Sequence, residues 1–157
     1  MRQSGCGTAF FLAAALLVQT AAHAIGLRAR DVWFDPQSGF AIGGYDPVDY
    51  FVRNAPNLGR AGIELELDGV AWLFSSEANR AVFAAHPEVY TPRFGARDPL
   101  RLARGYETNG DPAFWLIDDG ALYLFADARS RARWMTATKS ERLSAEANWP
   151  AVVEATR

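Results

Sequence analysis

Four arginines surround one Asp-Pro dipeptide in the segment RFGARDPLRLARG, which spans residues 93 to 105. Guanidinium groups grip carboxylates and phosphates through paired, charge-assisted hydrogen bonds, so a cluster of them is typical of an anion-binding site. The segment therefore predicts a site for an anion or an acidic partner. Its candidate residues are Arg97, Asp98, Arg101 and Arg104.

Asp98 also has a purely structural interpretation. An aspartate followed by proline is a favourable start for a helix, and such a cap stabilises a helix by about 1 kcal/mol relative to alanine. Arg101 and Arg104 would then share one solvated face of the helix that follows, and Gly105 would end it. An aspartate at the helix start would also repel an anion there. The sequence leaves both interpretations open.

A second polar group lies in AIGGYDPVDYF, residues 41 to 51. Tyr45, Asp46 and Asp49 could form the polar rim of a ligand pocket. Asp46 precedes Pro47, however, so it also fits the role of a helix cap.

The elements that must position these residues are indicated by hydrophobic periodicity and turn signals. IELEL (63 to 67) alternates as a half-buried strand does, Asp68-Gly69 predicts a tight turn, and VAWLF (70 to 74) predicts the partner strand. A helix capped by Ser75 or Ser76 should follow, with a buried apolar stripe made of Ala78, Ala81, Val82 and Ala85.

The second half predicts another hairpin from FWLI (114 to 117) and ALYLF (121 to 125), followed by a helix capped by Asp127. A last helix should run from Thr138 to about Ala147, with a break at Pro150. No sequence repeat is apparent. The predicted fold is a small single α+β domain, in which two antiparallel β-hairpins form a sheet packed against several short helices.

The first 24 residues predict a signal peptide rather than part of the fold. Their apolar run, Thr8 to Val18, is shorter than the about 20 residues of a membrane span, and Ala22-His23-Ala24 has the small residues of a cleavage site. We expect cleavage after Ala24 and a periplasmic or secreted protein without a membrane span; an uncleaved anchor is the alternative. Residues 25 to 40 would form an N-terminal arm and 41 to 157 the domain.

The amino-acid composition limits the kinds of site that the chain can form. Cys6 is the chain's one cysteine, so cleavage would remove every disulfide and thiolate metal ligand. A formal net charge of −2 gives no general attraction to nucleic acid. His86 would be the one remaining histidine, and it could serve as a base, as a metal ligand or as a structural residue at a helix end. No nucleophile motif accompanies it, which argues against an enzyme.

Four segments give the chain a resemblance to the exported family of YHS-domain proteins. They are AIGGYDPVDYF, GVAWLFSSEANRAVFAAHPEVYTPRFG, GDPAFWLIDDGALYLF and ANWP, in the family's order and at about its spacing. The resemblance implies a metal-binding module whose cysteine follows a Tyr-x-Pro-x-Tyr/Phe-Gly segment. Here Tyr90, Pro92, Phe94 and Gly95 match that segment, Ala96 replaces a second glycine, and Asp98 stands where the cysteine would be.

The sequence therefore predicts an exported, non-catalytic binding module of the YHS type that has lost cysteine-based metal binding. Its partner would be a small ligand or another protein, with no cofactor predicted. The alternative is a protein that handles a divalent metal through oxygen and nitrogen ligands. Its candidate ligands are Asp98, Asp46, Asp49 and His86.

Overall fold

The computed structural model describes residues 31 to 155. The predicted signal peptide and the first residues of the predicted arm lie outside this range. The rest of the arm packs against the domain: Val32 is buried in the core, and the backbone N–H of Trp33 donates to the carbonyl of Gly95 at 2.9 Å. Residues 31 to 40 are thus an irregular but integral part of the fold.

The described residues form a small α+β domain with two antiparallel hairpins, as the sequence predicts. Each hairpin is its own two-stranded sheet, and no strand ladder joins the two within residues 31 to 155. The strands are β1 (Glu64–Leu67), β2 (Val70–Leu73), β3 (Asp111–Asp118) and β4 (Ala121–Phe125). The helices are α1 (Asp49–Val52), α2 (Glu77–Ala85), α3 (Pro87–Tyr90), α4 (Pro99–Leu102), α5 (Ala128–Trp134) and α6 (Lys139–Ala155).

Two helices differ from expectation. α6 does not stop near Ala147 but continues through Pro150, and its buried residues Ala145, Trp149 and Val153 recur every four positions along one face. Packing of that face holds the helix together across the proline, which lacks one backbone N–H.

Among residues 31 to 155, no helix is long and apolar enough to cross a membrane.

The predicted apolar stripe of α2 is also wrong. Phe83 is the buried residue of this helix, and Ser76 caps it as predicted. Phe83 packs against Trp72 and Phe74, with ring centroids 4.8 and 5.2 Å apart. The face of α2 that carries this large ring is buried, because burying the ring removes far more apolar surface from water than burying the small alanines would. The residues left exposed are Ala78, Ala81, Val82 and Ala85.

The backbone contains an internal repeat that the sequence did not reveal. Residues 42 to 85 and 94 to 134 follow one plan: a left-handed turn, an Asp-Pro pair, a short helix, a hairpin and a capped helix. Three consecutive residues have positive φ just before each Asp-Pro pair, at 45°, 64° and 80° in the first repeat and 53°, 54° and 65° in the second. Non-glycine residues enter this region at a cost of about 1–2 kcal/mol, so its recurrence marks a shared design.

Hydrogen bonds recur at matching positions. The N–H of Asp46 donates to the carbonyl of Asn57 at 2.8 Å, and the N–H of Asp98 donates to the carbonyl of Thr108 at 2.8 Å. Both hairpins turn through Asp-Gly with positive φ at both residues, as a two-residue hairpin turn requires. Four core residues of the first repeat, Ile42, Val48, Phe74 and Phe83, have counterparts in a second buried cluster, Phe94, Leu100, Phe125 and Trp134.

One equivalent glycine in each repeat leads to a stability prediction. A Cβ at Gly59 would lie 2.6 Å from the backbone carbon of Leu73, and a Cβ at Gly110 would lie 2.8 Å from that of Leu124. Because backbone atoms cannot yield, Gly59→Ala and Gly110→Ala should each lower the free energy of unfolding by about 3 kcal/mol, measured by urea denaturation. Gly62→Ala, which meets open space at positive φ, should lower it by only about 1 kcal/mol. Equal losses at the three sites would contradict the predicted backbone clash.

Candidate functional site

A buried aspartate organises a corner in each repeat. The Asp98 corner comprises Asp98, the start of α4 and the end of β4. Asp98 is fully buried; its Oδ1 accepts the N–H groups of Leu100 at 2.9 Å and Arg101 at 3.1 Å, and its Oδ2 accepts the N–H of Ala126 at 2.9 Å. The predicted role of Asp98 as a helix cap is confirmed. The same carboxylate also joins the helix to the end of the second hairpin, which the sequence did not indicate.

The Asp46 corner has the same architecture in the first repeat. Asp46 is fully buried, with Oδ1 accepting from the N–H of Val48 at 2.8 Å and Oδ2 from the N–H of Ser75 at 2.7 Å. The carboxylate closes a turn rather than capping a helix directly, because α1 begins only at Asp49 and its first turn accepts no side-chain cap. Ser75 follows β2 as Ala126 follows β4.

The two corners differ in one side chain of the capped helix. In the first repeat, Nδ2 of Asn79 donates to Oδ2 of Asp46 at 2.7 Å and to Oδ1 of Asp49 at 2.8 Å, so a carboxamide fills the corner. Asn79 stands three residues after the cap of α2, and Ser130 stands three residues after the cap of α5. Ser130 is shorter, and its buried hydroxyl has no hydrogen-bond partner among the described residues.

An open pocket of about 260 Å³ lies on the outer side of the Asp98 corner. We call it the arginine pocket. Three arginines and one exposed tyrosine shape it, and two thirds of the Tyr106 side chain is accessible to solvent. Its lining residues are Leu100, Arg101, Arg104, Tyr106, Asp127, Arg129 and Ser130.

The charges in the arginine pocket are only partly paired. Nη2 of Arg101 lies 2.8 Å from Oδ2 of Asp127, and its Nε lies 3.7 Å from Oδ2 of Asp98. The pKa of Asp127 is lowered, first by the hydrogen bond from the backbone N–H of Ser130 and then by Arg101. Arg104 and Arg129 form no ion pair with any residue from 31 to 155. Two guanidiniums therefore remain available to an anion.

The structure brings together two of the arginines selected from the sequence, Arg101 and Arg104, and moves Arg97 elsewhere. Arg97 is buried, donates through Nη1 to the carbonyls of Asp31 and Gly95, and pairs through Nε with Glu107 at 3.1 Å. It thus ties the N-terminal segment to the turn before Asp98. Its donors therefore serve the fold, and Arg97 does not line the arginine pocket.

The other candidates lie outside the pocket. Tyr45 packs on the first core cluster, and Asp49 is buried beside Asp46, where it also pairs with Arg53 at 3.0 Å. The side chain of His86 is mostly exposed at the junction of α2 and α3, with Nδ1 3.7 Å from Glu88. No group of three or more His, Cys, Asp and Glu residues within the described chain could hold a metal ion.

Sequence reasoning missed Tyr106, Arg129 and Ser130 as parts of the site. A signal was present, because Asp46-Pro47 and Asp98-Pro99 are each followed by an Asp-Gly turn and a capped helix at almost the same distance. Aligning the two halves on these features would have placed Ser130 opposite Asn79.

Comparisons with protein-family models, with curated proteins and with solved structures found no match for this chain. The site is therefore interpreted from its own geometry.

The Asp98 corner predicts a large effect of removing one carboxylate. Asp98→Ala would leave buried N–H groups unpaired, each at a cost of about 1–3 kcal/mol. We expect the free energy of unfolding to fall by about 3–4 kcal/mol in urea denaturation. Asp35→Ala is the matched control, since Asp35 accepts the N–H groups of Gln37 and Ser38 in an exposed turn. It should cost under about 1 kcal/mol. Similar losses in the two variants would show that Asp98 is only a local cap.

Proposed function

We propose that this protein is an exported, non-catalytic binding module of the YHS type, and that it holds an anionic ligand in the arginine pocket. The observation that carries the proposal is the pair of guanidiniums of Arg104 and Arg129, which line a pocket and form no ion pair within 4.0 Å in residues 31 to 155. A planar guanidinium binds a carboxylate or phosphate through two parallel hydrogen bonds, which gives orientation as well as affinity.

The pairing around Arg101 supports this assignment. Asp127 holds the Arg101 guanidinium at the pocket wall, so this side chain is oriented before a ligand arrives. Pre-oriented side chains lose less conformational entropy on binding, and affinity rises accordingly. Arg104 and Arg129 are more exposed and would close on the anion from the rim.

The resemblance to YHS proteins supplies the context for this proposal. Asp98 stands at the cysteine position, and both of its oxygens accept backbone N–H groups. A carboxylate committed in this way has little capacity left for a metal ion. Asp46 is committed in the same manner, and His86 lies on the surface beside Glu88. These observations favour an anion over a divalent metal as the ligand.

The test is a titration of the isotope-labelled protein with sodium acetate and inorganic phosphate, followed by amide chemical shifts at constant ionic strength. We expect saturable shifts for Arg104, Arg129 and Ser130. Arg104→Gln and Arg129→Gln should each weaken binding about tenfold, which corresponds to the loss of about 1.4 kcal/mol from one charged hydrogen-bond pair.

Arg60→Gln is the matched control, because Arg60 is exposed and lines none of the pocket. It should bind the probes as the unmodified protein does. Shifts that are spread evenly over the surface, or that weaken equally in the Arg60 variant, would contradict a specific anion site. A divalent-metal panel run in parallel would favour metal handling if one ion bound saturably and Asp98→Asn abolished its binding.

A further inference from the structure

We infer that the ligand of the arginine pocket is a sugar acid: a single carboxylate on a hydroxylated ring. This inference rests on the proposed anion site and specifies its ligand class. The inference rests on three features that binding of a simple anion does not explain. They are the charge balance of the site, the unpartnered hydroxyl of Ser130 and the exposed ring of Tyr106.

The charge balance favours one carboxylate. The pocket carries the positive charges of Arg101, Arg104 and Arg129, opposed by Asp127 in its wall and by Asp98 immediately beneath. Glu141, whose pKa is lowered by the backbone N–H of Thr138 and also by Arg133 and Arg104, is neutralised by its ion pair with Arg133, so one positive charge of the pocket is left over. A monoanion matches this balance, whereas a doubly charged phosphate would add a second negative charge next to two carboxylates, and like charges at such distances repel.

The unpartnered hydroxyl of Ser130 offers a hydrogen-bonding group at the wall of the pocket. Ser130 is 4% exposed, and its Oγ has no partner among residues 31 to 155. An unsatisfied buried hydroxyl costs about 1–3 kcal/mol, and a ligand that completes its hydrogen bonds recovers that energy. In the first repeat the equivalent position directs the carboxamide of Asn79 into the Asp46 corner. The side chain of Ser130 has the same attachment point, three residues after the cap of its helix, so a ligand hydroxyl can take the place that the carboxamide fills there.

Tyr106 supplies an apolar surface at the rim. Its side chain is 67% exposed and lines the pocket. An aromatic ring offers a flat apolar face with a polar edge, which suits the C–H face of a sugar ring flanked by hydroxyls. The pocket's volume of about 260 Å³ is below the roughly 300–1,000 Å³ of sites for drug-sized ligands, so it fits about one ring.

The test compares glucuronate with acetate and glucose by calorimetric titration of the purified protein. Glucuronate should bind at least about tenfold more tightly than acetate and glucose. Ser130→Ala and Tyr106→Ala should each reduce glucuronate binding about fivefold to tenfold and reduce acetate binding by a smaller factor, whereas Arg60→Gln should leave both unchanged. Methyl glucuronide, the model of a glycan end, separates a linked sugar acid from a free one, and tight binding of either supports the inference.

The possible failures are distinguishable. If glucuronate binds no more tightly than acetate while Arg104→Gln still weakens both, the anion site stands and the sugar-acid class is overturned. If neither compound responds to Arg104→Gln, the proposed anion site fails as well. Equal binding of glucose and glucuronate would overturn the requirement for a carboxylate.

Discussion

The fold depends on two buried carboxylates that each join the turn or helix that follows them to the end of a hairpin. Asp46 and Asp98 lie at 0% exposure, and each receives a hydrogen bond from the backbone N–H two residues onward and another from the residue that follows a hairpin. An unpaired charge is expensive to bury, so these hydrogen bonds must form together with the fold. This coupling explains how a chain with little sheet structure fixes its short helices in place.

The two corners share this coupling but differ in the side chain beside the carboxylate. In the first corner, Asn79 contributes a carboxamide that is shared by Asp46 and Asp49. In the second repeat, Arg101 replaces Asp49 and Ser130 replaces Asn79. Reversing one charge and shortening one side chain converts a closed polar corner into an open, basic pocket. The binding site that we propose thus arises from a difference between repeats, on a scaffold that the repeats share.

Local chemistry in the sequence predicted much of the fold. Asp-Gly turns, alternating strands and the caps Ser76, Asp98 and Asp127 act over a few residues, and all of them occur as predicted. Long-range packing was not predictable in this way. It turns Phe83 rather than the alanines of α2 inward, and it carries α6 through Pro150.

The candidate site was predictable to the same extent: residues close in sequence were found, and residues placed by long-range contacts were not. The helix predicted to run to Gly105 ends at Leu102, and Arg104 lies in the turn that follows, where its N–H donates to the carbonyl of Arg101 at 3.0 Å. Their spacing in sequence nevertheless placed the two arginines together. Arg97 turns inward because the carbonyl of Asp31, 66 residues away in sequence, accepts from it together with the nearby carbonyl of Gly95. Ser130 reaches the site from another helix, 32 residues after Asp98 (130 − 98). Contacts between residues that are distant in sequence cannot be predicted from local spacing. Comparison of the two repeats is the one feature of the sequence that indicates them.

The most direct test of this account is Ser130→Asn, which gives the second corner the side chain that closes the first. The carboxamide would donate to Asp98 and accept from Arg101, as complementary hydrogen-bond groups do. The account predicts that thermal unfolding stays unchanged or moves to higher temperature, while affinity for the anionic probe falls at least about tenfold. A folded variant that binds the probe as tightly as the original chain would contradict the claim that the arginine pocket beside the Asp98 corner is the binding site.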